Sequence, residues 1–186
     1  MKKTAFVLLA LLVVPGTLWA MDINQGKFEL AGKTAFNFSD TTTEVDGSPD
    51  VDVTTWSFEL DGNYYFAKNL GLGLILQYQK SEIDAGAGDT DVSTVFIGPQ
   101  VIYHFPLNEK VSLFVNGAVG YAEVEVESAD ADGWGFEVGG GLKYFLTNSA
   151  SVNARVQYRN LSMEADGGGD ADTDGFNIGV GLSIYF

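Results

Sequence analysis

The run GFNIGVGLSIYF, from Gly175 to Phe186, constrains the fold more than any other stretch of the chain. Phe176, Ile178, Val180, Leu182, Ile184 and Phe186 share one parity, while Asn177, Gly179, Gly181, Ser183 and Tyr185 share the other. A strand sends successive side chains to opposite faces, so this segment reads as a strand with one wholly apolar face. In a soluble sheet that face needs a covering layer, and the sequence offers none after Phe186. Lipid accepts such a face, provided the strand belongs to a closed barrel that leaves no backbone edge unsatisfied. The competing reading, a closing strand of a soluble sandwich or lipocalin-like barrel, weakens as the pattern recurs along the chain.

The N-terminus carries export chemistry. Lys2 and Lys3 precede an apolar run, Ala5 to Val14, which Pro15 and Gly16 break. This predicts a signal peptide over 1–20, cleaved after Ala20, and a single domain over 21–186. The apolar run is too short for a spanning helix, and no later run reaches that length. An exported chain with no cysteines must be stabilised by its core or by a membrane rather than by disulfides. The formal net charge of −15 argues against a nucleic-acid partner, whose phosphates need a basic face.

Read in order, the chain repeats the alternating pattern about eight times. Strands are expected over roughly 27–39, 51–67, 70–83, 90–105, 111–127, 133–146, 151–163 and 175–186. The second sets Trp56, Phe58, Leu60, Tyr64 and Phe66 against Ser57, Glu59, Asp61 and Asn63. The sixth sets Trp134, Phe136, Val138, Leu142 and Tyr144 against Glu137, Gly139, Gly141 and Lys143. Pro99 interrupts the fourth; it removes a ladder donor and predicts a bulge. Short turns at 68–69, 107–110 and 147–150 alternate with longer polar loops at 40–50, 84–89, 128–132 and 164–174. That asymmetry matches transmembrane barrels with short periplasmic turns and longer extracellular loops, and so predicts periplasmic termini. Outward aromatics also fall at two heights. Trp56 and Phe66 are ten residues apart, roughly 23 Å of height at the usual rise and tilt, against an apolar band of about 25 Å.

With these features in hand, the chain resembles the small eight-stranded outer-membrane β-barrels of Gram-negative bacteria, the OmpA/OmpX-type family, with the OmpW-like barrels as second choice. The expected fold is all-β: an eight-stranded antiparallel up-and-down transmembrane barrel. The resemblance implies that the closing run, with Leu182, Ile184 and Phe186, serves as the signal for the outer-membrane insertion machinery. It also implies a monomer in contact with outer-membrane lipids and lipopolysaccharide.

Eight strands leave an interior just wide enough for side chains. The inward parity carries Glu29, Glu59, Asp61 and Glu137 with Lys33, Lys143, Arg155 and Arg159, a nearly balanced set that predicts a salt-bridged plug. Antiparallel pairing across 147–150 places Glu137 near Arg159. A gated narrow pore is the alternative. Toward the loop ends the inward positions turn apolar: Val51, Val53, Ile83, Val92, Val124, Val126, Leu161 and Met163. They predict either a rigidifying small core or a vestibule for a small hydrophobic molecule, as in OmpW-like barrels.

Asp170, Asp172 and Asp174 before Gly175 resemble the start of a calcium loop, but Gly181 stands where the bidentate glutamate belongs. A solvated acidic loop is the first reading; loose binding of divalent cations, bridging to lipopolysaccharide phosphates, is the other. No cofactor is expected. His104 is the only histidine, expected inward near the short-turn end and without a serine and acid beside it, and no phosphate-binding loop or nucleophile elbow occurs, so no enzymatic activity is expected.

Overall fold

Eight strands close into a ring in chain order in the computed structural model, which describes residues 23–36, 52–84, 89–126, 129–165 and 170–186. They are β1 (Phe28–Phe36), β2 (Asp52–Ala67), β3 (Leu70–Asp84), β4 (Asp89–Pro106), β5 (Val111–Val126), β6 (Ala129–Thr147), β7 (Ala150–Ala165) and β8 (Asp170–Tyr185). Every neighbouring pair is antiparallel, and β1 pairs with β8 to shut the ring. At the seam Phe186 N–H donates to Phe28 O at 2.9 Å, and Phe28 N–H donates back at 3.2 Å. The proposed signal peptide, Val51 and the whole 40–50 loop lie outside the described residues.

Parity decides which side chains meet which environment. The outer face is apolar along every strand: Leu72, Leu74 and Leu76 on β3, Val115 and Val119 on β5, and Ile178, Val180 and Leu182 on β8 are all exposed. In water so continuous an apolar surface would drive association. Aromatics flank it, and neighbouring strands bring them together at the loop ends, with ring centroids 5.5 Å apart for Trp56–Tyr78, 6.1 Å for Tyr121–Trp134 and 5.2 Å for Tyr158–Phe176.

The sequence expectation fails at three places in the backbone. Pro99 makes no bulge. Ile97 pairs with Tyr121 and Gln100 with Ala118, so the β4–β5 register continues unchanged across an interruption at 98–99. On the other side Pro99 pairs with Leu74. The imino acid costs ladder pairing on one side and shifts nothing. The irregularities lie instead between Tyr65 and Ala67 and between Phe145 and Thr147, each beside a short turn.

Second, residues 129–132 of the acidic segment are strand and not loop: β6 starts at Ala129, and Asp130 pairs with Glu125. Third, Asp170, Asp172 and Asp174 lie in β8, paired with Glu164, Ser162 and Asn160. The backbone of a calcium loop coils around its ion, whereas here it is extended and paired. Asp and Gly mark loops in soluble proteins because water competes for their backbone. Here the hairpins continue past the apolar band, and the ladder holds those residues extended.

Candidate functional site

Among the described residues the buried polar and charged side chains gather in the lumen, and they fill it together with apolar ones in three groups. The first is ionic. Lys33 on β1 donates Nζ–H to Glu59 Oε1 at 2.8 Å and to Asp61 Oδ2, both on β2. Arg155 on β7 donates Nη2–H to Glu59 Oε2 and stands 3.7 Å from Glu137 Oε1 on β6. The Gln77 amide, from β3, donates to Glu59 at 2.7 Å and Glu137 at 2.6 Å, and Gln157 donates to Glu137 at 2.6 Å. Five strands are thus joined through two carboxylates. All these groups are buried, so each charge is tolerable only because it is paired and hydrogen-bonded.

The second group lies toward the short turns. Lys143 on β6 donates to Glu29 Oε1 on β1. Tyr65 O–H donates to Glu29 Oε2 at 2.5 Å, and the same hydroxyl lies 2.9 Å from His104 Nε2. An ionised carboxylate only accepts, so the tyrosine proton goes to Glu29 and His104 supplies Nε2–H. Lys143 Nζ also lies 5.3 Å from the Phe114 ring centre and 5.6 Å from that of Tyr185, within cation–π range. Ile23, Tyr65, Ile102, Phe114, Phe145 and Tyr185 form an apolar cluster around this network.

The third group is apolar. Ile75, Phe96, Ala118, Ala122, Leu161 and Met163 pack together on β3, β4, β5 and β7, with Val124 and Ala131 partly buried against them. Gly135 makes room for Leu161: a Cβ there would lie 2.4 Å from Leu161 Cδ2.

The eight charged residues singled out from sequence all lie inside the barrel, but the pairing differs in one respect. Glu137 and Arg159 are register partners, as antiparallel pairing requires. The ion pair of Glu137 nevertheless goes to Arg155, and Arg159 donates to Gln79 Oε1 at 3.3 Å. Glu137 thus pairs diagonally along the β6–β7 ladder, whereas Lys33 and Glu59 are at once register partners and an ion pair. Of the apolar positions toward the loop ends, Leu161 and Met163 are buried in the third group and Val124 packs against it. Val92 and Val126 are half-buried register partners. Val53 and Ile83 are partners by backbone register, and Val51 lies outside the described residues.

Sequence reasoning passed over Ile23, Tyr65, Ile75, Phe96, Ile102, Phe114, Phe145 and Tyr185 as lumen fillers. Strict parity would have found most of them: Ile75 sits between inward Gly73 and Gln77, and Phe114 two residues before inward Asn116. Leu182, Ile184 and Phe186 are exposed on the outer face at the β8 end. Among the described residues no cluster of His, Asp and Glu is arranged to hold a metal ion.

The family model for the outer membrane protein beta-barrel domain matches residues 6–183. The chain belongs to this family. Its members place such barrels in the outer membrane of Gram-negative bacteria. The barrel is similar in fold to OprG from Pseudomonas aeruginosa, with 16% identity over 90% of this chain and 99% of that one, at a TM-score of 0.62. Neisserial surface protein A superposes with a TM-score of 0.63 at 14% identity, covering 87% of this barrel and 98% of that chain. Ail, the attachment invasion locus protein of Yersinia pestis, gives 0.53 at 15% identity over 87% and 99%. No match was found among curated protein sequences.

Proposed function

We propose that this outer-membrane barrel is closed through its centre and acts as a structural or surface-interaction protein, not as an open pore. One observation carries the reading. Glu59 and Glu137 draw Lys33, Arg155, Gln77 and Gln157 into one buried network that links β1, β2, β3, β6 and β7 across the lumen. Apolar side chains flank it on both sides. An ion would have to break several charge-assisted hydrogen bonds and cross two apolar layers.

In this reading the signal peptide is removed and the short turns and both termini face the periplasm. The acidic strand ends stand outside the cell among lipopolysaccharide headgroups, where divalent cations offset the charge. The barrel is a monomer, inserted by the outer-membrane assembly machinery through the Leu182–Phe186 end. The surface partner is not a polysulfate of the kind captured in Ail with the heparin analogue sucrose octasulfate. The exposed Glu123, Glu125, Asp130, Asp132 and Glu164 would repel one. No catalytic role is assigned, because the single histidine is fully buried between Tyr65 and Phe114 and cannot meet a substrate from solution.

A second reading has its own support. The apolar group around Phe96, Leu161 and Met163 reaches partly buried Val124 toward the loop ends, which suits a vestibule for a small hydrophobic molecule. Conductance of the purified protein in a planar bilayer, with and without a small apolar probe, separates the two. Silence in both conditions is expected of the closed barrel. Discrete steps that the probe blocks would overturn it in favour of a conduit. Val126→Ser with Leu161→Asn should abolish apolar-probe binding by the folded barrel if the vestibule is real; unchanged binding sinks that reading.

A further inference from the structure

We propose that residues 23–27 form a stopper for the short-turn mouth of the barrel, with Ile23 as its plug and Asn69 as its latch. The segment before β1 is polar except for Ile23: Asn24 and Gln25 are exposed, whereas Ile23 is only 5% exposed. Its side chain enters the cluster of Tyr65, Ile102, Phe114, Phe145 and Tyr185 that closes the lumen from below. A chain leaving the first strand toward water does not reach that position by itself. It is turned back by a tight bend, in which Lys27 N–H donates to Asn24 O at 3.4 Å and Gly26 adopts φ +88°, as the third residue of a type II turn must.

Asn69 then holds the plug by both backbone groups. Its Oδ1 accepts from Ile23 N–H at 2.8 Å, and its own N–H donates to Ile23 O at 2.9 Å. Asn69 is itself fixed in the left-handed region, at φ 63°, by the β2–β3 turn, and its carbonyl accepts from His104 N–H at 2.9 Å. Asparagine tolerates that conformation and supplies the accepting amide; glycine tolerates it and supplies only the backbone N–H. The stopper therefore rests on one apolar side chain and a few hydrogen bonds, among them those of Gly26 N–H and Lys27 O with the Tyr65 backbone. Segments held so sparsely open far below the cost of global unfolding. When it opens, water and small polar solutes gain the mouth below the Glu29–Lys143–His104 network, while the central charges stay closed. The inference rests on the closed-barrel reading, but its test examines one mouth only, whereas bilayer conductance examines the whole lumen.

The chain has no cysteine, so a single introduced thiol reports access. Ser112 is 1% exposed and lies one residue into β5 from the 107–110 turn. Ser112→Cys, expressed as the full chain and purified in detergent micelles, is reacted with a small charged thiosulfonate. Labelling is scored only on the band that keeps the compact, unheated mobility of a folded barrel, so misfolded variants do not contribute. Glu109→Cys, in the exposed turn, gives the rate for open solvent. Slow labelling of Ser112→Cys is expected, rising at least tenfold when Asn69→Gly removes the side-chain half of the latch but keeps the turn and the backbone half, and at least as much with Ile23→Ala. Equal rates with and without either change, whether slow or fast, would overturn the proposal. So would acceleration by Ile23→Ala alone, since the side-chain half of the latch would then hold nothing.

Discussion

Arg155 reaches Glu59 across the ring from β7 to β2, 96 residues away in sequence and with two strands, β8 and β1, between them. Neither residue is part of the other's ladder, so this contact exists only in the closed barrel. It is one of two cationic anchors on Glu59, the other being Lys33. Removing the shared carboxylate leaves Arg155 to Glu137 and Lys33 to Asp61, each with one fewer partner. Glu59→Leu is expected to lower unfolding stability by about 3 kcal/mol, the lower end of the cost of breaking a buried ion pair. Arg155→Met in the Glu59→Leu background should cost clearly less than Arg155→Met alone. Urea unfolding of the four proteins in lipid vesicles gives the cycle, and additive losses would show that the pair is uncoupled.

Phe96 is fully buried among Ile75, Ala122, Leu161 and Met163. Few other side chains of the third group approach its volume, so the cavity left by truncation cannot be refilled locally. Phe96→Ala is expected to cost about 3–5 kcal/mol, whereas Val95→Ala, the next residue on the lipid face, should cost far less, because lipid follows the altered surface. Equal losses at both positions would mean that Phe96 faces outward.

Strand number, order and the inward charge set were legible because a barrel wall obeys a period of two whatever lies on either side. Glu29, Lys33, Glu59 and Arg155 could be placed inside from parity alone. Register also sets Lys33 opposite Glu59, but it could not give the partner of Arg155, which skips two strands to reach Glu59. The extension of β6 and β8 through Asp130, Asp132 and Asp170–Asp174 was misread for a different reason. Those residues look like loop chemistry in a single sequence, yet the paired hairpin carries them beyond the bilayer, where an acidic outer face costs nothing in desolvation. Ile23 gave too little signal: one apolar residue in a polar lead has no period.

Leu76 lies midway along β3 and is exposed to the outside between Leu74 and Tyr78. If this face meets hydrocarbon, Leu76→Arg should destabilise the barrel by about 2–4 kcal/mol in lipid, the cost for arginine near the midplane of a barrel wall. The same change at Lys80, which already pairs with Asp91 at 2.9 Å and Glu82 at 3.3 Å, should be nearly neutral. Refolding equilibria of Leu76→Arg and Lys80→Arg in one lipid mixture test both, and a small cost at Leu76 would place the apolar band elsewhere.

Glu164 stands opposite another acid on the outer face, Asp132 across the β6–β7 ladder. Glu123 continues the row on the far side of Asp132. Like charges directly opposite on a sheet repel, and here three strands share one row. Glu164→Lys converts one repulsion into an attraction. It should therefore stabilise the barrel by about 0.5 kcal/mol at low ionic strength, at the level of a single cross-strand pair. Because the row is exposed, salt that shortens the screening length should remove most of the gain. Urea midpoints of the parent and Glu164→Lys, measured at low and at high sodium chloride, give the result. A gain that survives salt would mean that the substitution acts through packing and not through the charge row, and a loss at low salt would mean that the row is already neutralised by bound cations.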